Sequence, residues 1–299
     1  MRQEPQRGGK SQSSQFSQSS HHLSERGERL FERHVSSVRW LSRVPVKATR
    51  GRAWSSDPQL RLGDHVRVLS NFTPGSYRFL VATGRPFSAG IVADPGFDLV
   101  RAVLSRPPPL DDGLKAARAH VESAGRPATA LAAFELRIPE PLSREDFDAF
   151  NAPYVERMAA LGLKSGAEWV AARTNVAPTI AGVTEPSLHA FTFTVPRGGR
   201  SGPAFRLSGA TEARRDASAA DRLRSILEEL QGRMVEMGVS WEDATAVNVY
   251  DAASAPIEEV AGGFGSASLR GLTWFPSLPP IADYEFEIDA RAVGTEIVL

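Results

Sequence analysis

The sequence predicts an α+β protein built from two tandem copies of one unit, each a mixed β-sheet with helices on one face. Three observations carry this. Two segments with apolar residues at helical spacing, Leu110–Ala124 and Asp221–Met237, are each closed by a glycine and followed by a β-rich run. The order before Pro196 is strands, helix, strand, helix, two strands, and the same order recurs after Pro203. Between them, Pro196–Pro203 (PRGGRSGP) has the composition of a linker. The expected organisation is an extension at 1–62, a first copy at 63–196, a linker at 197–203 and a second copy at 204–299.

Each element follows from local chemistry. Val66–Leu69 and Tyr77–Ala82 read as strands, the second ended by Thr83-Gly84-Arg85-Pro86. Leu110–Ala124 is a helix with Gly125 as its terminating glycine. Ala128–Ile138 is β-like, with Phe134, Leu136 and Ile138 alternating against Glu135 and Arg137. That alternation predicts an ion pair on an exposed face. Ser143 is the expected N-cap of a second helix, with Asp146 three residues on, running to Leu161 before Gly162. Val170–Val176 and Leu188–Val195 complete the first copy. In the second copy, Ala204–Gly209 is strand-like. Leu223, Ile226, Leu227, Leu230, Met234 and Met237 form one helical stripe closed by Gly238. Ala244–Tyr250, a stunted helix at Pro256–Val260, and strands at Leu272–Phe275 and Tyr284–Ala290 follow.

The first sixty residues differ from the rest. They are rich in Gln, Ser, Gly and Arg and poor in acids, and they read as a disordered extension, with a basic arm or targeting peptide as the alternative. Arg29–Trp40 has a weak amphipathic pattern. Across all 299 residues the 35 Lys and Arg balance the 35 Asp and Glu, which removes the electrostatic case for a nucleic-acid partner. With no cysteine, thiolate catalysis, thiolate metal sites and disulfides are excluded. No apolar run approaches ~18 residues, so no membrane partner is expected and a cytoplasmic location is. No cluster has metal-ligand spacing, and no phosphate-binding glycine motif follows a strand.

Arg173 is the most informative residue. It stands in the small, apolar run Ala171–Pro178, where a guanidinium is costly unless it meets an anion. A substrate carboxylate and a structural carboxylate both fit. Asn175, two residues on, shares its strand face and could orient water or bond at the strand end. Asn151 and Tyr154 share a helix face, where they could bind a ligand or pack and cap locally. Glu285 and Glu287 share a face in the last strand, and one of them could position water. His189 reads as a structural histidine.

Phe150-Asn151-Ala152-Pro153-Tyr154 followed by Ala172-Arg173-Thr174-Asn175-Val176 resembles the Rid (YjgF) family of imine and enamine deaminases. Asp221–Ala252, Arg270–Pro279 and Tyr284–Ile288 resemble that family's long helix and turn, its R-x-x-V-x-V-x-x-L-P segment and its closing V-E-I-E strand. The first half lacks the carboxylate of the closing strand, and the second lacks the Asn-x-x-Tyr pair. The tandem order is similar to the two-domain deaminases of 2-aminomuconate or 2-amino-5-chloromuconate. The resemblance implies chorismate-mutase-like units and a cofactor-independent hydrolysis of an unsaturated 2-amino dicarboxylate to the 2-oxo acid and ammonia. It implies that Arg173 holds a substrate carboxylate, aided by Asn151, Tyr154 and Arg270, with Glu285 and Asn175 serving the water or the departing nitrogen. It also implies a homotrimer of six units, because one-sided sheets would leave an apolar face exposed. A chorismatase-like hydrolase and a non-catalytic ligand-binding protein are the alternatives.

Overall fold

In a computed structural model, the structure describes residues 68–180, 182–199, 201–213, 216–252 and 256–299. The N-terminal segment and the helix expected at Arg29–Trp40 lie outside them. The described residues belong to one compact unit, His65–Leu299.

Three strands open it: β1 (Leu69–Phe72), β2 (Tyr77–Leu80) and β3 (Gly90–Ala93). The first copy follows as β4 (Phe97–Val103), α1 (Leu110–Ser123), β5 (Leu131–Arg137), α2 (Arg144–Ala160), the small hairpin β6 (Lys164–Ser165) and β7 (Glu168–Trp169), then β8 (Ala172–Pro178) and β9 (Ser187–Pro196). The second copy comprises β10 (Phe205–Leu207), β11 (Ala210–Thr211), α3 (Ala219–Met237), β12 (Ala246–Asp251), α4 (Ile257–Val260) running into a 3₁₀ segment (Ala261–Arg270), β13 (Thr273–Phe275), β14 (Ser277–Leu278) and β15 (Phe286–Ala292). Strand β16 (Thr295–Val298) closes the chain.

The two copies share one topology. Strands run β8-β5-β9-β4 in the first and β13-β12-β15-β10 in the second. β5 is parallel to β8 and β12 to β13, while the other neighbours are antiparallel. The recurrence of helices and later strands read from the sequence is thus matched in order and sense, but the strand expected at Tyr77–Ala82 to open the first copy is β2, which lies in the sheet of the second, and β4 opens the first instead. The sheets are also interlaced. β1–β3 precede the first copy yet extend the sheet of the second, through β3 on β10 (Val92 opposite Phe205). β16, at the far end of the chain, lies parallel to β4 in the sheet of the first, and β14 pairs with the end of β8. Strands β3, β4 and β16, and the two-residue strands β6, β7, β11 and β14, have no counterpart among the sequence expectations. β4 (FDLVRAV) carries two consecutive buried pairs instead of alternation, which hides its period.

Helix formation follows the expected signals. Ser143 Oγ accepts the Asp146 N–H at 3.0 Å, and Ser218 Oγ accepts the Asp221 N–H at 3.2 Å, each satisfying an orphan donor of the first turn. Gly238 ends α3 in the left-handed region at φ 69°. The stripe Leu223, Ile226, Leu227, Leu230, Met234 and Met237 packs on the apolar face of β12 and β15. α1 does the same on the first sheet with Leu114, Ala117 and Val121. Each large side chain so buried contributes roughly 1.5–3 kcal/mol relative to exposure.

The opposite sheet faces meet each other through a layer of charge. Arg206 on β10 binds Asp289 on β15 with two hydrogen bonds of 3.0 and 2.8 Å. Across the gap Thr174 of β8 donates to the same carboxylate at 2.9 Å, and Arg206 reaches Glu135 of β5 at 3.4 Å. Arg101 of β4 grips Glu135 at 2.6 and 2.8 Å. Glu296 closes the set, accepting from Arg101 at 3.2 Å and from Arg291 at 2.6 Å. Burial pushes the Glu135 carboxyl up, but Arg206 and Arg101 outweigh it and hold the group well below the usual range. The exposed Glu135–Arg137 ion pair expected from alternation is therefore not formed. Both residues are buried, because the other copy covers their face, and Glu135 pairs with Arg101 and Arg206 instead. The sheet faces opposite the helices, expected to be apolar and exposed, are polar and buried within one chain.

Truncating one member of this layer strands its partner's charge. Asp289→Ala is expected to cost about 3–5 kcal/mol in urea unfolding, and Arg206→Met with Asp289→Leu together to cost less than Asp289→Ala alone.

Candidate active site

The α2 residues Phe147, Asn151, Tyr154 and Met158 form its buried stripe, spaced by four, three and four. Three are apolar or aromatic; Asn151 is a polar side chain in a core position, so it requires a partner. That partner is Arg173. β8 alternates, and its register places Arg173 beside Phe134 and Asn175 beside Leu136, on the face that α2 covers. Arg173 Nη1 donates to Asn151 Oδ1 at 2.8 Å. Three rings surround the guanidinium: Tyr154 at 4.5 Å, Phe87 at 4.6 Å and Phe147 at 5.5 Å to their centroids. Each such cation–π contact contributes roughly 0.5–2 kcal/mol.

Arg173 is only 4% exposed, and among the described residues no carboxylate forms an ion pair with it. Burial lowers its proton affinity, and nearby Tyr154 and Glu287 partly offset this. Burial likewise pushes the Tyr154 phenol up to about 12, so its hydroxyl keeps its proton at neutral pH.

The outer edge of β8 meets the second copy. Arg173 N–H donates to Ser208 Oγ at 2.9 Å, Ser208 Oγ donates to Ser88 O at 2.6 Å, and Gly209 N–H donates to Arg173 O at 3.2 Å. At the same edge the Asn175 backbone N–H lies close enough to the Glu287 carboxyl to favour its charged form. Gly209 is needed here: a Cβ at this position would collide with the Glu287 carboxyl. Glu287 is 3% exposed. Burial first, and the negative Asp289 second, push its carboxyl up to about 8; Asn175, Arg173 and Arg137 only partly counter them.

Four buried atoms in this neighbourhood have no hydrogen-bond partner: Ser88 Oγ, both side-chain atoms of Asn175, and Glu287 Oε2. Tyr154 Oη and Arg173 Nη2 make no hydrogen bond of good geometry and have only each other nearby. Buried polar atoms are rarely left so. Such a cluster of donors and acceptors, beside an unpaired cation and a carboxyl that titrates near neutrality, is the arrangement expected of a ligand site.

Of the residues singled out in the sequence, Arg173, Asn175, Asn151 and Tyr154 are thus brought together. Glu285 and Arg270 are not. Glu285 precedes β15 and pairs with Arg222 of α3 at 2.7 Å, with its side chain half exposed. Arg270 ends the 3₁₀ segment and donates to Ala244 O at 2.9 Å. His189 sits at an irregularity between β5 and β9, and burial, with Arg137, pulls its imidazole down to about 4. Phe87 and Gly209 carried no signal in the sequence, since both lie between strands. Glu287 was legible only as one of two candidates. Among the described residues no group of three or more His, Asp or Glu side chains is placed to hold a metal ion, and no helix is long and apolar enough to cross a membrane.

Residues 69–297 match the family described as 2-aminomuconate deaminase CnbZ. A 2-amino-5-chloromuconate deaminase from Comamonas testosteroni is 34% identical over 251 residues, covering 76% of this chain and 98% of that protein. Among solved structures, a YjgF/YER057c/UK114 family member from Mycobacterium tuberculosis aligns at 21% identity over 31% of this chain and 81% of its own, with a TM-score of 0.25. A chorismatase aligns at 11% identity over 76% and 79%, with a TM-score of 0.43. The chain belongs to the CnbZ family of deaminases, enzymes that act on C–N bonds.

Proposed function

We propose that the protein hydrolyses an unsaturated 2-amino dicarboxylate of the 2-aminomuconate type to the 2-oxo acid and ammonia, at the site between Arg173 and Glu287. The observation that carries this is a buried guanidinium that no protein carboxylate pairs, near a buried carboxyl whose proton affinity burial and Asp289 push up to about 8. Family membership supplies the C–N chemistry. In this reading Arg173 fixes the 1-carboxylate, so the adjacent amine-bearing carbon faces Glu287. Protonated Glu287 gives its proton to the enamine β-carbon, next to the amine-bearing one, and leaves an iminium, an electrophile that needs no cofactor. The resulting carboxylate takes a proton from the water as the water oxygen bonds to the amine-bearing carbon of the iminium. It returns the proton to nitrogen as the C–N bond breaks and ammonia leaves. The last hydroxyl proton restores the carboxyl, so the sequence balances. The unpaired amide of Asn175 is available to the water or the amine. The contribution of the site is positioning and electrostatics.

Assaying ammonia release from 2-aminomuconate tests the reading directly. Arg173→Ala is expected to lose roughly ten- to a hundred-fold in binding, with a further loss in rate from misplacement. Arg173→Lys should rescue poorly, because lysine lacks the planar fork. Arg270→Ala should be much the milder change. Full activity in Arg173→Ala would sink the proposal.

Glu287→Gln should lower turnover by about a hundred-fold or more, and wild-type kcat/KM should decline above pH of about 8. A linked effect appears in stability. Between the ordinary carboxyl value of 4.5 and about 8, Glu287 is protonated when folded and ionised when unfolded. The folded state therefore binds more protons, and this group's contribution falls as pH rises through that window. Urea unfolding of wild type against Glu287→Gln should show that decline in the wild type only.

A further inference from the structure

We infer that Arg137 is a second carboxylate anchor, which makes this site selective for substrates carrying a carboxylate at each end. The inference rests on the catalytic reading above and deepens it. Charge accounting in the layer between the sheets leads to Arg137. Three arginines (101, 206 and 291) meet three carboxylates (Glu135, Asp289 and Glu296), so that network is closed within itself. Two buried arginines remain: Arg173 and Arg137. Arg137 is 6% exposed, and its Nη1 donates to the neighbouring carbonyl of Leu136 at 2.9 Å. Among the described residues no carboxylate forms an ion pair with it. A buried guanidinium held by a single backbone carbonyl is a poor resting arrangement, and a planar anion is what its five donors fit.

Its position suits the task. Arg137 extends from the face of β5 that looks at the second sheet, and its guanidinium lies 5.8 Å from the centroid of the Tyr250 ring. Tyr250 is the direct cross-strand neighbour of Glu287. Glu287 also feels the positive charge of Arg173, which approaches from the helix side of β8. The reacting carboxyl thus lies within the field of two cations that no protein carboxylate pairs, Arg173 from β8 and Arg137 from β5. Because Glu287 holds its proton at neutral pH, it offsets neither of them. An extended dianion supplies the two missing charges.

The test uses the full chain and two stable, nitrogen-free ligands: cis,cis-muconate, with a carboxylate at each end, and sorbate, with one. Binding is followed by titration calorimetry. Wild type is expected to bind muconate on the order of ten- to a hundred-fold tighter than sorbate. Arg137→Gln should bring muconate down to the sorbate level and leave sorbate within about threefold, whereas Arg173→Gln should weaken both. Equal affinity of wild type for the two ligands would overturn the inference without any variant having to fold. So would an equal loss of both ligands in a folded Arg137→Gln protein. The deaminase reading is judged separately by ammonia release, which could persist on monocarboxylate substrates if this inference failed.

Discussion

The contact between two charged sheet faces is the constraint on which the rest of the structure depends. Arg206 and Asp289 are almost completely buried, and their pairing joins β10 to β15, while Thr174 ties the same carboxylate to β8 of the other copy. Desolvation offsets much of the attraction in a buried ion pair, so the layer is weak as a source of net stability. Its consequence is positional. Side chains on a strand repeat every two residues, and a slip of one would turn all of them over. Fixing Asp289 against Thr174 therefore fixes Glu287, two residues earlier on the same face, against the backbone of Asn175. The same proximity gives Glu287 its unusual proton affinity, because the negative Asp289 adds to the effect of burial.

The candidate site is consequently divided between the copies. The first supplies the cation and its cradle: Arg173, Asn151, Tyr154 and Phe147. The second supplies the carboxyl and the space for it, Glu287 and Gly209. β14 pairs with β8 only at Ala177 and Pro178, which leaves the Arg173–Asn175 edge for the second copy to meet. This arrangement accounts for an oddity of the sequence, in which each half holds only part of one set of polar groups. The two halves resemble each other in topology and complement each other in chemistry. The interlacing of β1–β3 and β16 into the opposite sheets ties them further, since neither sheet is complete from one half alone.

Much of this was legible in the residues. Both long helices, their serine caps, the closing glycines and the recurrence of element order follow from local signals, which depend only on near neighbours. That Asn151 and Tyr154 share a helix face and that Arg173 needs a partner were legible too; that Asn151 is one of those partners was not, because it depends on how α2 lies across β8. What could not be read depends on long-range pairing. Alternation places Glu135 and Arg137 on one face but says nothing of what covers it. The same periodicity makes Glu285 and Glu287 equivalent; the difference is that β15 begins at Phe286, which leaves Glu285 outside the sheet and within reach of Arg222. Phe87 is invisible for a similar reason. It belongs to an irregular stretch whose position is set by β3 joining a strand more than a hundred residues later.

The absence of a direct ion pair between Arg173 and Glu287 follows from the same electrostatics. An arginine and a carboxyl on adjoining edges would ordinarily neutralise each other, and a substrate carboxylate would then have to displace the protein's own. Here Asp289 and burial keep Glu287 protonated near neutrality, while Asp289 itself is engaged by Arg206, Thr174, Asn248 and Tyr250. In the proposed reading the site therefore keeps an unpaired guanidinium and a protonated carboxyl near each other. Both properties trace to one strand, in which Glu287 and Asp289 share a face but have different partners. An edge merely complementary in charge would have paired Arg173 with a carboxylate; here the carboxylate charge is committed to Arg206 in the layer beneath.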